Sequence, residues 1–321
     1  MFASNTPSIT VIVPNFNHGH LISECITAIQ TQDFENYKVL IVDDHSSDRS
    51  VEIIKNIIKK DSRFELIQLK KNLGVVELQN LIVAKINSEY LYLAAADDYI
   101  LPEFFSALVG VMAENPEIAF ATTKSLIPLP TGKYKVRPML FPSSKTKIFD
   151  GKQAANQLLR MDFLYITGAT LLRTQMFKAI GPLNANLGAL ADGIHLRRLA
   201  AKYGYAYVNK FGLVWRRVEE GFSVTELNNN ANLEKKLKLA ENILKNETTL
   251  HKSYASKYYR RMKFISKINS QSKAIKFSNR KIPIYFWITF TFLIRSGFFY
   301  LKYHPFSIKY IPKLLNAQKA L

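Results

Sequence analysis

The chain has 321 residues and one cysteine, Cys25. A lone thiol excludes an internal disulfide and any cysteine-built metal site, and it fits a reducing compartment. The six histidines do not fall at zinc-ligand spacing. His18 and His20 share one loop and His45 sits in the next, so they read as pocket-rim or solvated groups. Glycine is missing where a dinucleotide site would need it. Pro14-Asn-Phe-Asn-His-Gly19 follows the first strand-like run without the Gly-rich turn that lets backbone approach a pyrophosphate, which argues against a dinucleotide-binding dehydrogenase. No Gly-rich loop ending in Gly-Lys-Ser/Thr occurs either. Near the C-terminus, Ile282–Ile294 is a charge-free run of 13 residues, short of the roughly 20 a spanning helix needs. Met1 to Ser8 has neither a basic nor a long apolar stretch, so no secretory leader is expected.

Acidic residues are scarce: 25 Asp and Glu face 44 Lys and Arg, a net charge of +19. The imbalance is local. From Leu227 onward there are 19 Lys and Arg against 3 Asp and Glu, a net of +16. The first 226 residues are nearly neutral. An anionic surface, membrane lipid or nucleic acid, is therefore an expected partner of the C-terminal segment.

What is present is an alternation of apolar runs. Ile9–Val13, Val39–Val42, Phe64–Leu69 and Tyr90–Ala95 read as buried strands. Segments with apolar residues at helical spacing separate them, around Leu21–Ile29, Val51–Ile58 and Val75–Ile86. This β-α repeat predicts an α/β fold with a doubly wound, mostly parallel sheet. Polar residues end three of the strands: Asn15 and Asn17, Asp43 and Asp44, Asp97 and Asp98. In such a sheet these strand ends converge on the edge where ligands bind. Asp97 and Asp98 are hard oxygen ligands before the helix that Pro102 introduces. They suit Mg²⁺ or Mn²⁺ holding a diphosphate. Two solvated helix-capping residues are the plainer alternative.

Val11-Ile-Val-Pro-Asn-Phe-Asn17, Val39-Leu-Ile-Val-Asp-Asp-His-Ser-Ser-Asp48, Asn72-Leu-Gly74 with Asn80, and Leu93 to Pro102 together resemble glycosyltransferase family 2, up to about Val214. That resemblance implies a GT-A fold, a nucleotide-diphosphate sugar donor and an acceptor hydroxyl. It places Phe16 against the nucleotide base and Asp44 on the imide N–H of a uracil or thymine. Pro14, Asn15, Asn17 and Asp43 would shape the same pocket, and Asn72, Gly74 and Asn80 the ribose and phosphate side. Where the family commonly reads Asp-x-Asp-Asp, this chain reads Ala95-Ala96-Asp97-Asp98. Asp97 then holds the metal, with Ala96 beside it on the donor and Asp98 as a second ligand. Ala95 replaces the first acidic residue, so more of the metal's ligands must come from the donor.

Residues 119–165, rich in proline and lysine, read as loops that help shape an acceptor site. Thr167–Arg173 reads as a strand. Leu187-Gly-Ala-Leu-Ala-Asp192, leading into an apolar helix, resembles the family's second signature, with Ala191 where a Glu often precedes the Asp. The implied role of Asp192 is catalytic base; its alternative is a helix cap. Trp215-Arg-Arg217 departs from the Gln-x-x-Arg-Trp pattern of processive synthases, which favours transfer of a single sugar.

The expected organisation is a catalytic domain over residues 1–226 and a basic helical segment over 227–321. Asn232–Leu250 reads as a polar helix. Lys252–Lys281 is basic with interleaved aromatics, and the run from Ile282 is interrupted by Arg295. Residues 252–301 would lie on an anionic membrane surface; packing on the domain or spanning the bilayer are the alternatives. The resulting expectation is an inverting transferase in bacterial-type cell-surface polysaccharide or glycan synthesis. It would use a UDP- or dTDP-type donor and a glycan or lipid-linked acceptor, and be cytoplasmic, peripheral on the inner face of the membrane. A catalytically weak binding module, given Ala95 and Ala191, and a basic nucleic-acid-binding protein remain the alternatives.

Overall fold

A computed structural model describes residues 8–276 apart from 138–141, 163–166, 217–221, 223–225 and 227–229, with backbone alone for 230, 231 and 267–276. The first half follows the expected alternation: β1 Ile9–Asn15, α1 Ile22–Gln30, β2 Tyr37–Asp43, α2 Ser50–Ile58, β3 Phe64–Gln68, α3 Val75–Val83 and β4 Tyr90–Leu93. Strands β1 and β4 are buried along most of their length, as near-continuous apolar runs in a sheet covered on both faces should be. Then come β5 Tyr99–Ile100, α4 Phe104–Glu114, β6 Phe120–Pro128, β7 Tyr134–Val136, β8 Lys147–Phe149 and α5 Gly151–Arg160. The chain continues through β9 Thr170–Arg173, α6 Thr174–Ala179, α7 Ala191–Tyr203, β10 Tyr205–Val214, α8 Asn230–Lys245 and α9 Tyr254–Lys276.

One sheet runs in the order β3-β2-β1-β4-β9-β6-β10-β5, with β7 on β6 and β8 on β10. Strands β3, β2, β1 and β4 are parallel; β9 is antiparallel to both β4 and β6. The α/β class is as expected, with the parallel doubly wound part on one side and a mixed part on the other. Strand order reverses at β1, which has β2 on one flank and β4 on the other. The crevice at the carboxyl ends of these strands is where such a sheet takes ligands. Register places Asn15 beside Asp43 there.

Two expectations change. Residues 119–165 are not mainly loops, because β6, β7, β8 and α5 lie within them. Buried Thr122, Thr123 and Ser125 break the apolar pattern of β6. Thr122 and Thr123 donate to the carbonyl of Ala169, so at those two positions hydroxyls satisfied across the sheet take the place of aliphatics. A boundary at 226 also does not separate two cores. Leu233, Leu237, Ala240 and Leu244 of α8 and Tyr254, Ala255 and Tyr258 of α9 share one hydrophobic cluster with Leu187, Ile194 and Leu199. Part of the basic segment is thus packed on the main body. Among the described residues no helix is long and apolar enough to cross a membrane. The Ile282–Leu301 run lies outside them.

Candidate active site

The loops after β1 and β2 are locked together by side chains. Asn15 Nδ2 donates to Asp43 Oδ1 at 2.7 Å, and Ser46 donates to both Asp43 oxygens through its hydroxyl and its amide. Asn17, at φ 57°, accepts from the Ser47 amide at 2.8 Å. Pro14 is half-buried at the end of β1. Phe16 projects from this lock and is 45% exposed. A large aromatic held by rigid neighbours yet open to solvent is a ready stacking surface.

Asp44 is 4% exposed and accepts from the amides of Leu73 at 2.7 Å and Gly74 at 2.8 Å. Asn72 closes the same turn by accepting from Gly74 at 3.0 Å. Gly74 sits at φ 79°, where a side chain would be strained. Asp44 therefore ties the loop after β3 to the end of β2, and each oxygen retains a further lone pair. Asn80 differs from expectation. Its amide clamps both backbone groups of Leu183, at 2.8 and 2.9 Å, so it holds the turn after α6 rather than the nucleotide side of the site.

Beyond β4, the adjacent carboxylates are treated differently. Asp97 is half-buried, and its carboxylate makes no hydrogen bond among the described residues. Asp98 is buried; the Arg216 amide donates to its Oδ1 at 2.7 Å. Burial, then the charge of Asp97, push its pKa well above the usual carboxylate range. The expected second metal ligand is thus an internal acceptor of the scaffold, because an inward-facing carboxylate has little access to a solvated ion. Ala96 is buried under the same turn. Arg216 also donates to the carbonyls of Asp97 and Leu21 and pairs with Glu24. It fastens the Asp97 loop to the first loop.

A divalent cation fits this donor set in a limited way. Asp97 offers an uncommitted carboxylate. Nearby, His18 Nδ1 is buried with no hydrogen-bond partner, and burial lowers the His18 pKa while Asp97 opposes that shift. Among the described residues no three acidic, histidine or cysteine side chains gather around one point. Such a site matches an ion that takes most of its ligands from phosphate oxygens and water.

Asp192 lies in the first turn of α7, and the hydroxyl of Thr167 donates to its Oδ2 at 2.6 Å. Thr167 opens the short turn Thr167–Ala169. The next residue, Gly168, has Asp98 Oδ2 3.8 Å from where its Cβ would be. One three-residue turn therefore lies between the Asp192 carboxylate and the Asp97–Asp98 loop.

The family described as Glycosyl transferase family 2 matches residues 10–181, just over half of the chain. The chain belongs to glycosyltransferase family 2.

An uncharacterized glycosyltransferase of Haemophilus influenzae is 31% identical over 111 residues, 35% of this chain and 44% of that protein. The chain thus aligns with less than half of that relative's length. The crystal structure of S. aureus TarS 1-349 in complex with UDP-GlcNAc superposes with a TM-score of 0.65 at 15% identity, over 90% of this chain and 79% of that one. Mannosyltransferase PcManGT from Pyrobaculum calidifontis, in complex with GDP-Man and Mn²⁺, gives 0.56 at 15%, over 91% and 86%. At such identities the likeness shows the shared fold.

The family match contains the residues from Pro14 to Asp98 that were expected on the donor side but ends before Asp192 and Arg216. Sequence reasoning missed Arg216, Thr167 and Ser46. Ser46 was legible within the Asp-Asp-x-Ser run after β2. Arg216 and Thr167 carry no local signal, since their partners lie 119 and 25 residues away.

Proposed function

We propose that this family 2 protein transfers a sugar from a UDP- or dTDP-type donor to a hydroxyl of a glycan or lipid-linked acceptor, with inversion, in cell-surface polysaccharide or glycan synthesis. One observation carries this reading. The locked loops after β1 and β2 and the open carboxylate of Asp97 after β4 lie at the edge where strand order reverses, and the Thr167–Ala169 turn links that edge to the Asp192 carboxylate. The UDP-GlcNAc in the TarS fragment accords with a UDP-type donor.

In this reading Phe16 stacks on the base, and Asp44 accepts its imide N–H with the lone pairs that the Leu73 and Gly74 amides leave free. Asn72 and Gly74 line the ribose side. Asp97 would hold a divalent ion, Mn²⁺ or Mg²⁺, which when bound neutralises charge on the departing diphosphate. The Mn²⁺ bound by the mannosyltransferase PcManGT accords with this assignment. Asp192 accepts the acceptor hydroxyl's proton as its oxygen bonds to the anomeric carbon, on the face opposite the diphosphate. The bond to the diphosphate breaks in the same displacement, so the configuration inverts. Thr167 fixes the carboxylate for that step.

The exposed Lys252, Arg260 and Phe264 beside the packed face of α9 support the membrane-surface part of the reading. Not every cation is free for lipid. Arg261 caps α5 through the Leu158 and Leu159 carbonyls, and Lys263 pairs with Glu234. A screen of UDP-, dTDP- and GDP-sugars, monitoring nucleotide diphosphate release with Mn²⁺, Mg²⁺ or chelator, tests the function. Release from one uridine or thymidine donor, stopped by chelator, is expected. Equal inertness to every donor would point to a binding module instead.

A further inference from the structure

Behind α7 lies a buried polar cluster that no step above uses. Arg197 Nη2 pairs with Asp162 Oδ1 at 3.0 Å, with side chains 3% and 4% exposed. Its Nε lies 3.2 and 3.3 Å from the two Asp162 oxygens. Its Nη1 donates to the carbonyl of Gly193, the residue after Asp192, at 2.8 Å. From α9, the Tyr254 hydroxyl donates to Asp162 Oδ2 at 2.9 Å. Tyr258, one turn on, lays its ring 5.1 Å from the Arg197 guanidinium. Asp162 is thus tied to α7 through Arg197, and Thr167 to Asp192 itself.

A buried ion pair is a poor choice for stability alone, since apolar residues of similar volume usually serve as well. What a bidentate, fully bonded pair supplies is a single geometry. We infer that Tyr254, acting through Asp162 and Arg197, is a positioning residue that holds the first turn of α7 so that Asp192 faces the acceptor hydroxyl. The inference rests on Asp192 being the base. It gives the basic C-terminal helix a role in positioning the base, beyond that of a surface.

Tyr254→Phe in the full chain removes one hydroxyl and keeps the ring, so the helix packing stays. The expected result is a fall in kcat on the order of tenfold, the scale of a small misplacement of a reacting group. Donor KM and UDP affinity should be unchanged. Arg197→Lys, which keeps the charge and loses the fork, should give the same split. The decisive measurement is a double-mutant cycle with Asp192→Asn. If Tyr254 acts through Asp192, Tyr254→Phe costs little further turnover in the Asp192→Asn background. An equal fall in both backgrounds, or unchanged kcat in Tyr254→Phe, overturns the inference while leaving the base assignment standing. Full turnover in Asp192→Asn alone removes both.

Discussion

The backbone amide of Arg216 donates to Asp98 Oδ1 at 2.7 Å, while the carboxylate of the preceding Asp97 takes no hydrogen bond among the described residues. Two neighbours of identical chemistry are thereby assigned opposite tasks. Asp97→Ala is expected to abolish chelator-sensitive nucleotide diphosphate release with the fold intact by circular dichroism. Asp98→Asn keeps the acceptor for the Arg216 amide and should retain most turnover. Asp98→Leu strands that donor and should cost about 1–3 kcal/mol in urea unfolding. Equal loss of Mn²⁺ affinity in Asp97→Ala and Asp98→Asn would return Asp98 to the metal.

Asp44 holds the loop after β3, and in the proposed reading it also recognises the base. Asp44→Ala frees the Leu73 and Gly74 amides and should lower stability by about 1–3 kcal/mol. It should also weaken UDP more than GDP by calorimetry, as the base-specific acceptor is lost. An equal loss for both nucleotides would leave Asp44 with the loop alone.

For the base, Asp192→Asn should lower kcat by about 10²–10⁴-fold with donor binding intact. Thr167→Val, which removes only the hydroxyl on Asp192, should produce a smaller fall in kcat at constant donor KM. Normal specific activity in Asp192→Asn protein of reduced stability would make Asp192 a helix-end residue only.

His195 gives a pH dependence of stability. It is buried on α7 against Phe177, with Nε2 3.1 Å from the Phe177 carbonyl, where the neutral ring donates. Burial pushes its pKa from 6.5 down to about 4, against the opposing pull of the Phe177 carbonyl. Between those values the unfolded chain binds the extra proton. Stability is therefore full above the unfolded pKa and is lost as pH falls towards the folded one. The loss should reach about 2 kcal/mol at pH 5. Urea midpoints at pH 7.5 and pH 5 should differ more for the native protein than for His195→Gln. Identical pH slopes would contradict a buried neutral imidazole.

Truncation separates packed from peripheral C-terminal residues. A chain ending at Glu226 loses α8 and α9 and uncovers the cluster they complete, so it should aggregate. A chain ending at Lys276 should fold and bind UDP. Its affinity for anionic vesicles should fall below that of the full chain, whose own binding should weaken in high salt. Undiminished vesicle binding by the shorter chain would confine the membrane contact to residues before 277.

The order of strands and helices up to β4 was legible because it is local. Apolar runs of strand length, helical spacing between them and polar strand ends are all written within a few residues of each other. So was the set of loop residues from Pro14 to Asp44, whose contacts join the ends of register-paired strands. Which carboxylate faces out could not be read. Asp97 and Asp98 are adjacent, and their difference comes from Arg216, more than a hundred residues away at the end of β10. Asn80, read as a donor-side residue, is claimed by Leu183 across 103 residues. The helix beginning at Tyr254 looked from its charge like a surface element, yet Tyr254 is fully buried against Asp162. Charge and hydropathy along the chain report what a segment can contact. Only the packing of distant segments decides which face is buried, because desolvation is set by all the neighbours at once.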